Sequence, residues 1–241
     1  MIGFNVYFLL AVFLLAGMVW SVWFKKLTVR GALAGGLCAL LAFAGAGFTG
    51  IGMMTAFFVA GTAATSWRRA DKKKLETTEA DHAGRNAGQV LANSGVAAIA
   101  GALALLFPAY INWWSLAIAA CFSSATADTL ASELGTLYGQ RFYNIITWKP
   151  DQRGLDGVVS LEGTLLGVLG SILIALMYYT GFGGAWYIMI IVVAGTAGNL
   201  ADSVLGAVLE RKGLLKNDAV NFLNTLIAAL IAIGLQALLF S

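Results

Sequence analysis

The sequence is poor in the residues on which soluble catalytic domains most often depend. It contains a single histidine and two cysteines, and only 11% of its 241 residues are charged. Both cysteines, Cys38 and Cys121, lie within apolar segments, which argues against a disulfide framework and against a cysteine-ligated metal site. The histidine, His82, lies in a polar loop, which argues against multi-histidine metal sites and against Ser-His-Asp chemistry.

What the sequence has in abundance is apolar residues. They make up 59% of the chain, and the mean hydropathy is +0.81, which excludes an ordinary soluble domain. A helix needs about 20 mostly apolar residues to span a bilayer. Eight such segments predict an all-α polytopic transmembrane bundle that forms one integral membrane domain over residues 1–241. The predicted spans are residues 4–24, 31–48, 50–66, 87–107, 112–134, 157–180, 186–208 and 218–240. Because the second and third are short and joined by a tight glycine turn, seven spans remain the alternative.

All fifteen lysine and arginine residues lie in alternate gaps between the apolar segments. These four basic gaps are residues 25–30, 68–85, 141–153 and 211–216, and the gaps between them carry no charge. Basic loops are enriched on the cytoplasmic side of a membrane. The pattern therefore predicts a multi-pass protein, in the cell inner membrane if the source is bacterial or archaeal, whose basic loops face the cytoplasm. Membrane lipids are its expected surroundings, and no nucleic-acid partner is expected.

Four carboxylates, in contrast, lie inside or just within the apolar segments, near their basic ends: Asp128, Glu133, Glu162 and Asp202. Acidic residues are costly in a membrane and usually mark a functional site. Their oxygens are hard ligands that suit Mg²⁺ far better than zinc. We therefore predict that all four are metal ligands, with Asp128, Asp202 and Glu162 as catalytic residues. For Glu133 the alternative is that it only reaches the lipid headgroups from its helix end.

Further polar side chains lie close to these acids and are candidates for binding a substrate or nucleotide. Charged hydrogen bonds to phosphate are strong, and Arg85, Lys149 and Arg153 are the basic residues closest in sequence to the polar layer. For Asp156, capping of a helix N-terminus is an equal alternative. The other candidates for this binding role are Asn93, Ser160, Asn199, Ser203, Asn221 and Asn224, together with Asp156 itself.

Two helical hairpins carry related sequences. The fifth segment ends with ADT at residues 127–129, and the seventh ends with ADS at residues 201–203. The segments that follow them open with DGV at residues 156–158 and DAV at residues 218–220. The pattern predicts repeated helical hairpins around one site. Chance similarity within a low-complexity sequence is the alternative.

Five motif blocks in this order resemble those of the phytyl-phosphate kinase and transmembrane-protein-nineteen family of integral membrane proteins. The blocks are GRNAGQVLANSG (84–95), ATADTLASELG (125–135), GLDGVVSLEGT (154–164), AGTAGNLADSVLGA (194–207) and NDAVNFLNT (217–225). Together they extend over residues 84–225, more than half of the chain, whereas the first three predicted spans match by hydropathy alone.

The resemblance implies an enzyme that converts an isoprenyl monophosphate of the phytyl or geranylgeranyl type to the diphosphate. It implies Mg²⁺ as cofactor and a nucleoside triphosphate as co-substrate, with CTP favoured. The residues agree with this chemistry, because carboxylates that hold Mg²⁺ and basic groups that hold phosphates are what phosphoryl transfer needs. A transporter or lipid flippase that uses the buried acids as a cation or proton site is the alternative. The oligomeric state is left open.

Overall fold

The computed structural model describes residues 2–68 and 84–240, and the charged loop between them, which includes His82, lies outside the described residues. Helix α1 is Ile2–Trp23. The helical stretch Val29–Ser66 is interrupted at Gly47, and its two arms are α2 (residues 29–46) and α3 (residues 48–66). The other elements are α4 (Ala87–Leu106), a 3₁₀ turn (Pro108–Tyr110), α5 (Ile111–Tyr138), β1 (Tyr143–Asn144), β2 (Val158–Val159), α6 (Leu161–Phe182), α7 (Ala185–Leu205), a π-helical segment (Gly206–Glu210) and α8 (Asn217–Phe240).

Gly47 reverses the chain between α2 and α3. Its φ of 57° and ψ of −148° belong to a region that favours glycine. A Cβ on Gly50 would lie 2.5 Å from the backbone oxygen of Ala42, a contact that residues eight apart cannot make along a straight helix. At the other end of the hairpin, Lys26 Nζ donates to Ser66 Oγ at 3.1 Å. The two arms are therefore antiparallel, and each is about 27 Å long, close to the thickness of a bilayer's apolar core.

The bundle is confirmed as an all-α polytopic membrane fold. Within residues 2–68 and 84–240, six helical stretches are apolar and long enough to cross a membrane, with Val29–Ser66 counted as one. Its two antiparallel arms and the 28-residue α5 bring the number of crossings in these residues to eight, the predicted number. Helix α5 is not among the six because it carries more polar residues. A membrane helix can carry them where other helices, and not lipid, surround it.

Helix α5 is the centre around which the other helices pack. Every residue from Ser115 to Ala127 is buried, and α5 contacts the α2–α3 hairpin, α4, α6, α7 and α8. The close crossings depend on glycine. A Cβ on Gly135 of α5 would lie 2.8 Å from the Cα of Gly163 on α6, so larger residues there would separate the two helices. Small residues are typical of helix contacts in membranes, where close packing replaces the hydrophobic effect.

Helix α6 has large apolar residues on one side and glycines on the other, as the spacing of its sequence predicts. Leucines recur every four residues on one side, and these are between 42% and 71% exposed. Glycines at three-residue or four-residue intervals are buried on the side that faces α5. Since residues at these intervals share a helix face, the large apolar side chains face outward and the small ones face the core. The outward residues are Leu161, Leu165, Leu169 and Leu173; the buried glycines are Gly163, Gly167 and Gly170.

The described residues of the four basic gaps lie at one end of the bundle, which we call the basic end. Leu27 and Arg85 form a parallel β-bridge between the first two gaps. Trp67, the residue before the second gap, donates from Nε1 to Tyr138 OH at 2.7 Å and so joins the end of α3 to the end of α5. Arg211 forms an ion pair with Asp151 at 2.9 Å, which joins the third gap to the fourth.

The two acid-bearing hairpins, α5–α6 and α7–α8, both turn at the basic end, but their connections differ. Residues 139–160 form a folded loop in which β1 pairs with β2 in antiparallel register, Tyr143 opposite Val159. The connection after α7 consists of the π-helical segment and a short turn before Asn217. The duplication of these hairpins stays a prediction.

The shared basic end can be tested by labelling. Single cysteines at Gln152 and Lys212, which are exposed, are expected to react with an impermeant maleimide from the same side of a sealed membrane, and a cysteine at Ala185 from the other side. The reason is that α6 crosses between residues 160 and 183. The native Cys38 and Cys121 are buried and serve as the unlabelled background. Labelling of positions 152 and 212 from opposite sides would contradict the fold.

Candidate functional site

Two of the predicted acids meet inside the bundle. Asp128 on α5 and Asp202 on α7 lie within hydrogen-bonding contact of each other, and both are half-buried. Glycine brings their helices together, because a Cβ on Gly198 of α7 would clash with Ser124 Oγ of α5. We call Asp128 and Asp202 the acid pair. Two carboxylates this close cannot both remain ionised in a low-dielectric site without a cation or a shared proton.

A buried amide fixes one member of the acid pair. Asn224 Nδ2, on α8, donates to Asp202 Oδ1 at 2.7 Å. Ser124 Oγ donates in turn to Asn224 Oδ1 at 3.1 Å. Asn224 is fully buried, and this chain of hydrogen bonds links α5, α8 and α7. It therefore holds the Asp202 carboxylate in one orientation and leaves Asp128 as the less constrained partner.

The acid pair lines a polar cavity of about 170 Å³ at the basic end. Helices α5, α6 and α7 form its walls, and residues 154–160 of the folded loop cover it. Oxygen-bearing side chains from all four elements share this space, which suits hydrated cations and phosphates. They are Asp128, Ser132, Thr136, Asp156, Ser160, Thr164, Asn199, Asp202 and Ser203.

Two arginines stabilise the folded loop, Arg211 from outside the loop and Arg153 from within it. Arg211 forms the ion pair with Asp151 and also donates from Nε to the backbone oxygen of Asp156. Arg153 donates from NH2 to the Gly139 oxygen at 3.0 Å, and its guanidinium lies 4.6 Å from the centre of the Phe142 ring. Sequence reasoning missed Arg211. The available signal was its place in a basic gap, nine residues after Asp202.

The ion pair between Asp151 and Arg211, which anchors this loop, is kept in mild acid. The Gln152 amide, 2.7 Å from Oδ1, and the Arg211 guanidinium hold the pKa of Asp151 below its usual range. A carboxylate with a lowered pKa contributes stability that is fully present above its unfolded pKa, about 4, and is lost as the pH falls through the folded value. The Arg211 contact therefore persists across the neutral and mildly acidic range.

Two of the four predicted metal ligands, Glu133 and Glu162, lie apart from the acid pair. Glu133 faces α3, where Thr65 Oγ1 donates to it at 2.7 Å, because five residues after Asp128 a helix has turned by about 140°. Glu162 lies outside the cavity and accepts from the Gln140 amide at 3.4 Å. Gly163 faces α5, so the preceding residue is rotated about 100° away from it. Neither glutamate joins the acid pair.

The remaining candidates divide between the cavity and other places. Asp156, Ser160, Asn199 and Ser203 line the cavity beside the acid pair. Ser160 also caps α6, since its Oγ accepts from the Gly163 amide at 3.1 Å.

Four others lie outside this lining. Arg85 and Asn93 lie together on a different cleft, between α1 and α4. Lys149 is exposed in the folded loop. Asn221 is one turn from Asn224 and donates to Asn217 Oδ1 at 2.9 Å.

The donor set fits Mg²⁺ better than a metal held by protein alone. In residues 2–68 and 84–240, no three His, Cys, Asp or Glu side chains come close enough to form a metal site. Mg²⁺ characteristically takes one or two carboxylates and completes its shell with water and substrate phosphates. The acid pair supplies two carboxylates beside a cavity rich in hydroxyl and amide groups. The two negative charges would be offset by such a cation.

Comparison with known proteins places the chain in a family. The family described as integral membrane protein DUF92 matches residues 10–229. The chain belongs to this family. The match confirms the resemblance to the phytyl-phosphate kinase and transmembrane-protein-nineteen family that the motif blocks indicated. No solved structure is significantly similar to the chain.

Three relatives show the range of the DUF92 similarity. Uncharacterized membrane protein MJ0933 of Methanocaldococcus jannaschii is 35% identical over 187 residues, 78% of this chain and 76% of that protein. Uncharacterized membrane protein sll0875 of Synechocystis is 34% identical over 220 residues, 88% of this chain and 84% of the relative. Protein VTE6, chloroplastic, of Arabidopsis thaliana is 30% identical over 217 residues, 87% of this chain and 65% of that protein.

Thermal unfolding tests whether the acid pair binds a cation. Millimolar Mg²⁺ is expected to stabilise the wild-type protein by about 1 kcal/mol, which raises Tm by about 2–4 °C. Asp128→Asn and Asp202→Asn should lose this shift. In EDTA they should unfold at or above the wild-type temperature, because one of two repelling charges has been neutralised.

The matched control is Asp218→Asn, in the first turn of α8 and outside the cavity. It should keep the Mg²⁺ shift. An equal shift in all three variants would show that Mg²⁺ binds elsewhere.

Proposed function

We propose that this DUF92 protein is a membrane phosphotransferase that uses Mg²⁺ and a nucleoside triphosphate to convert an isoprenyl monophosphate to the diphosphate. The observation that carries the proposal is the acid pair, Asp128 and Asp202, in a polar cavity at the basic end of the bundle. The active site then faces the cytoplasm, because the basic loops around it favour that side. The acceptor class and the preference for CTP rest on the resemblance of the five motif blocks.

The acid pair would hold Mg²⁺ together with the nucleotide phosphates. When bound, the metal supplies charge neutralisation at the transferring phosphoryl group. Ser203, Asn199 and Ser160 line the same space and can donate hydrogen bonds to phosphate oxygens. The phosphate acceptor is already ionised at neutral pH, so no strong general base is needed, and positioning supplies most of the rate.

Arg153 and Arg211 are the proposed phosphate-binding cations. Each contacts a residue that lines the cavity, Arg153 through the Phe142 ring and Arg211 through the Asp156 backbone. Guanidinium groups bind phosphate through paired N–H donors. Both belong to or hold the folded loop, so binding of phosphate and closure of the loop would be coupled.

A transfer assay tests this function. Purified wild-type protein in nanodiscs is given γ-labelled CTP or ATP with geranylgeranyl or phytyl monophosphate and Mg²⁺, and labelled diphosphate is measured. Asp128→Asn and Asp202→Asn should each lower kcat by at least about 100-fold, as loss of electrostatic stabilisation at a transition state does. Their folding is checked by Tm. Near-normal turnover by either variant would refute the ligand assignment, and ion movement without transfer would favour a transporter.

The contribution of Arg211 to nucleotide binding can be measured against a substitution of the adjacent Lys212. Arg211→Gln should raise the nucleotide KM and lower kcat/KM by about ten-fold, since a charged hydrogen bond is worth about 1.5–3 kcal/mol. Lys212→Gln removes the same charge from an adjacent exposed residue and should change little. Equal losses in the two variants would mean that the basic end acts only through its overall charge.

A further inference from the structure

A second cavity, on another side of the bundle, is almost entirely apolar. It is a cleft of about 220 Å³ between α1, α2, α3 and the first half of α4, and its walls are mostly carbon. Glycines at three wall positions remove side chains that would otherwise fill it: Gly17 of α1 and Gly35 and Gly36 of α2. Helix α1 forms the outer wall and carries many exposed apolar side chains, so the cleft lies at the periphery of the bundle where lipid surrounds it.

The basic end of this cleft is polar, and Arg85 is the one cation among the described residues that line it. Arg85, Gln89 and Asn93 line it there, and the Arg85 guanidinium lies 5.9 Å from the centre of the Phe57 ring. Among the described residues, no oxygen accepts a hydrogen bond from this guanidinium. Burial lowers the pKa of Arg85 and the charge of Glu133 opposes that change. An arginine remains cationic at neutral pH in either case.

The guanidinium of Arg85 lies at the same depth as the acid pair. A Cβ on Gly61 would contact both Arg85 NH2, at 3.2 Å, and Thr129 Cγ2, at 3.3 Å. Thr129 follows Asp128 on α5. The cation of the cleft and the carboxylate of the cavity therefore flank neighbouring faces of one helix at one level.

We propose that this cleft takes the isoprenyl monophosphate from the bilayer, with its hydrocarbon chain between α1 and α4 and its phosphate on Arg85. The proposal rests on the proposed function for the identity of the lipid. An apolar cleft with the Arg85 guanidinium at one end is complementary to an amphiphile with an anionic head group. A terminal phosphate offers the exposed oxygens that a guanidinium binds through paired donors.

Filling the cleft is the first test. A Cβ on Gly17 meets no atom within 4 Å, so Gly17→Leu places a side chain in the cleft without a backbone clash. It should weaken binding of geranylgeranyl monophosphate, measured by tryptophan fluorescence or native mass spectrometry, by at least about ten-fold. The matched control is Gly234→Leu on α8, where a Cβ also meets nothing within 4 Å, and it should bind normally. Equal binding by both variants would overturn the proposal.

Charge is the second test. Arg85→Gln should weaken binding of geranylgeranyl monophosphate by about ten-fold to a hundred-fold but leave binding of the alcohol geranylgeraniol unchanged. Dioleoyl phosphatidic acid and inorganic phosphate serve as competitors. Neither should displace the isoprenyl monophosphate at equal concentration. Displacement by phosphatidic acid would make the cleft a general lipid site, and displacement by inorganic phosphate would show that the hydrocarbon chain contributes nothing; either result overturns the proposal.

These readouts separate the cleft from the chemistry. If labelled phosphate is never transferred but Gly17→Leu and Arg85→Gln still weaken lipid binding selectively, the lipid site stands and the phosphotransferase function fails. If transfer occurs at the wild-type rate and KM in both variants, the function stands and the cleft is not the lipid site.

Discussion

The proximity of two carboxylates between α5 and α7 is the constraint on which the site depends. Acidic side chains in an apolar bundle repel each other strongly because little water screens them. Their placement is enforced by the surrounding helices, through Gly198 against Ser124 and through the bridging amide of Asn224. Repulsion between two such carboxylates would be relieved by a cation, which is why the proposed function places Mg²⁺ there. The cavity, the covering loop and the nearby arginines are interpreted on that proposal.

Small residues at the helix contacts also explain how one chain holds a polar site within a membrane. Where α5 meets α6 and α7, glycine and serine replace bulk, and the helices approach until backbone and hydroxyl groups touch. Large apolar side chains are displaced to the outer surface, where lipid solvates them. The result reverses the arrangement of a soluble domain, with a compact interior of small residues and an exterior of leucine and phenylalanine.

Much of this architecture was predictable because its causes are local. Apolar length predicts the helices, and the alternation of basic gaps predicts which loops share an end. The acids within the apolar segments predict that Asp128 and Asp202 belong to a site near that end. Helix periodicity already turns Glu133 away from Asp128, but its partner Thr65 was not predictable, because that contact depends on how α5 packs against α3. The role of Arg211 depends on how residues 139–160 fold back over α7, and nothing in the sequence of either segment sets that contact alone. The family match supports the integral membrane fold, whereas the contacts of each residue come from packing.

The reversal at Gly47 has a consequence for the whole topology, since it changes the parity of the crossings. Without it, Val29–Ser66 would form one helix of 38 residues. Such a helix would be about 57 Å long, far longer than the apolar core of a bilayer is thick. The chain would then cross once where it now crosses twice, and every later loop would exchange sides. The basic residues of gaps 141–153 and 211–216 would then lie on the side of the membrane opposite to the one on which basic loops are enriched. A single backbone conformation early in the chain thus decides the side on which the distant acid pair opens, and the later charges in turn favour that conformation.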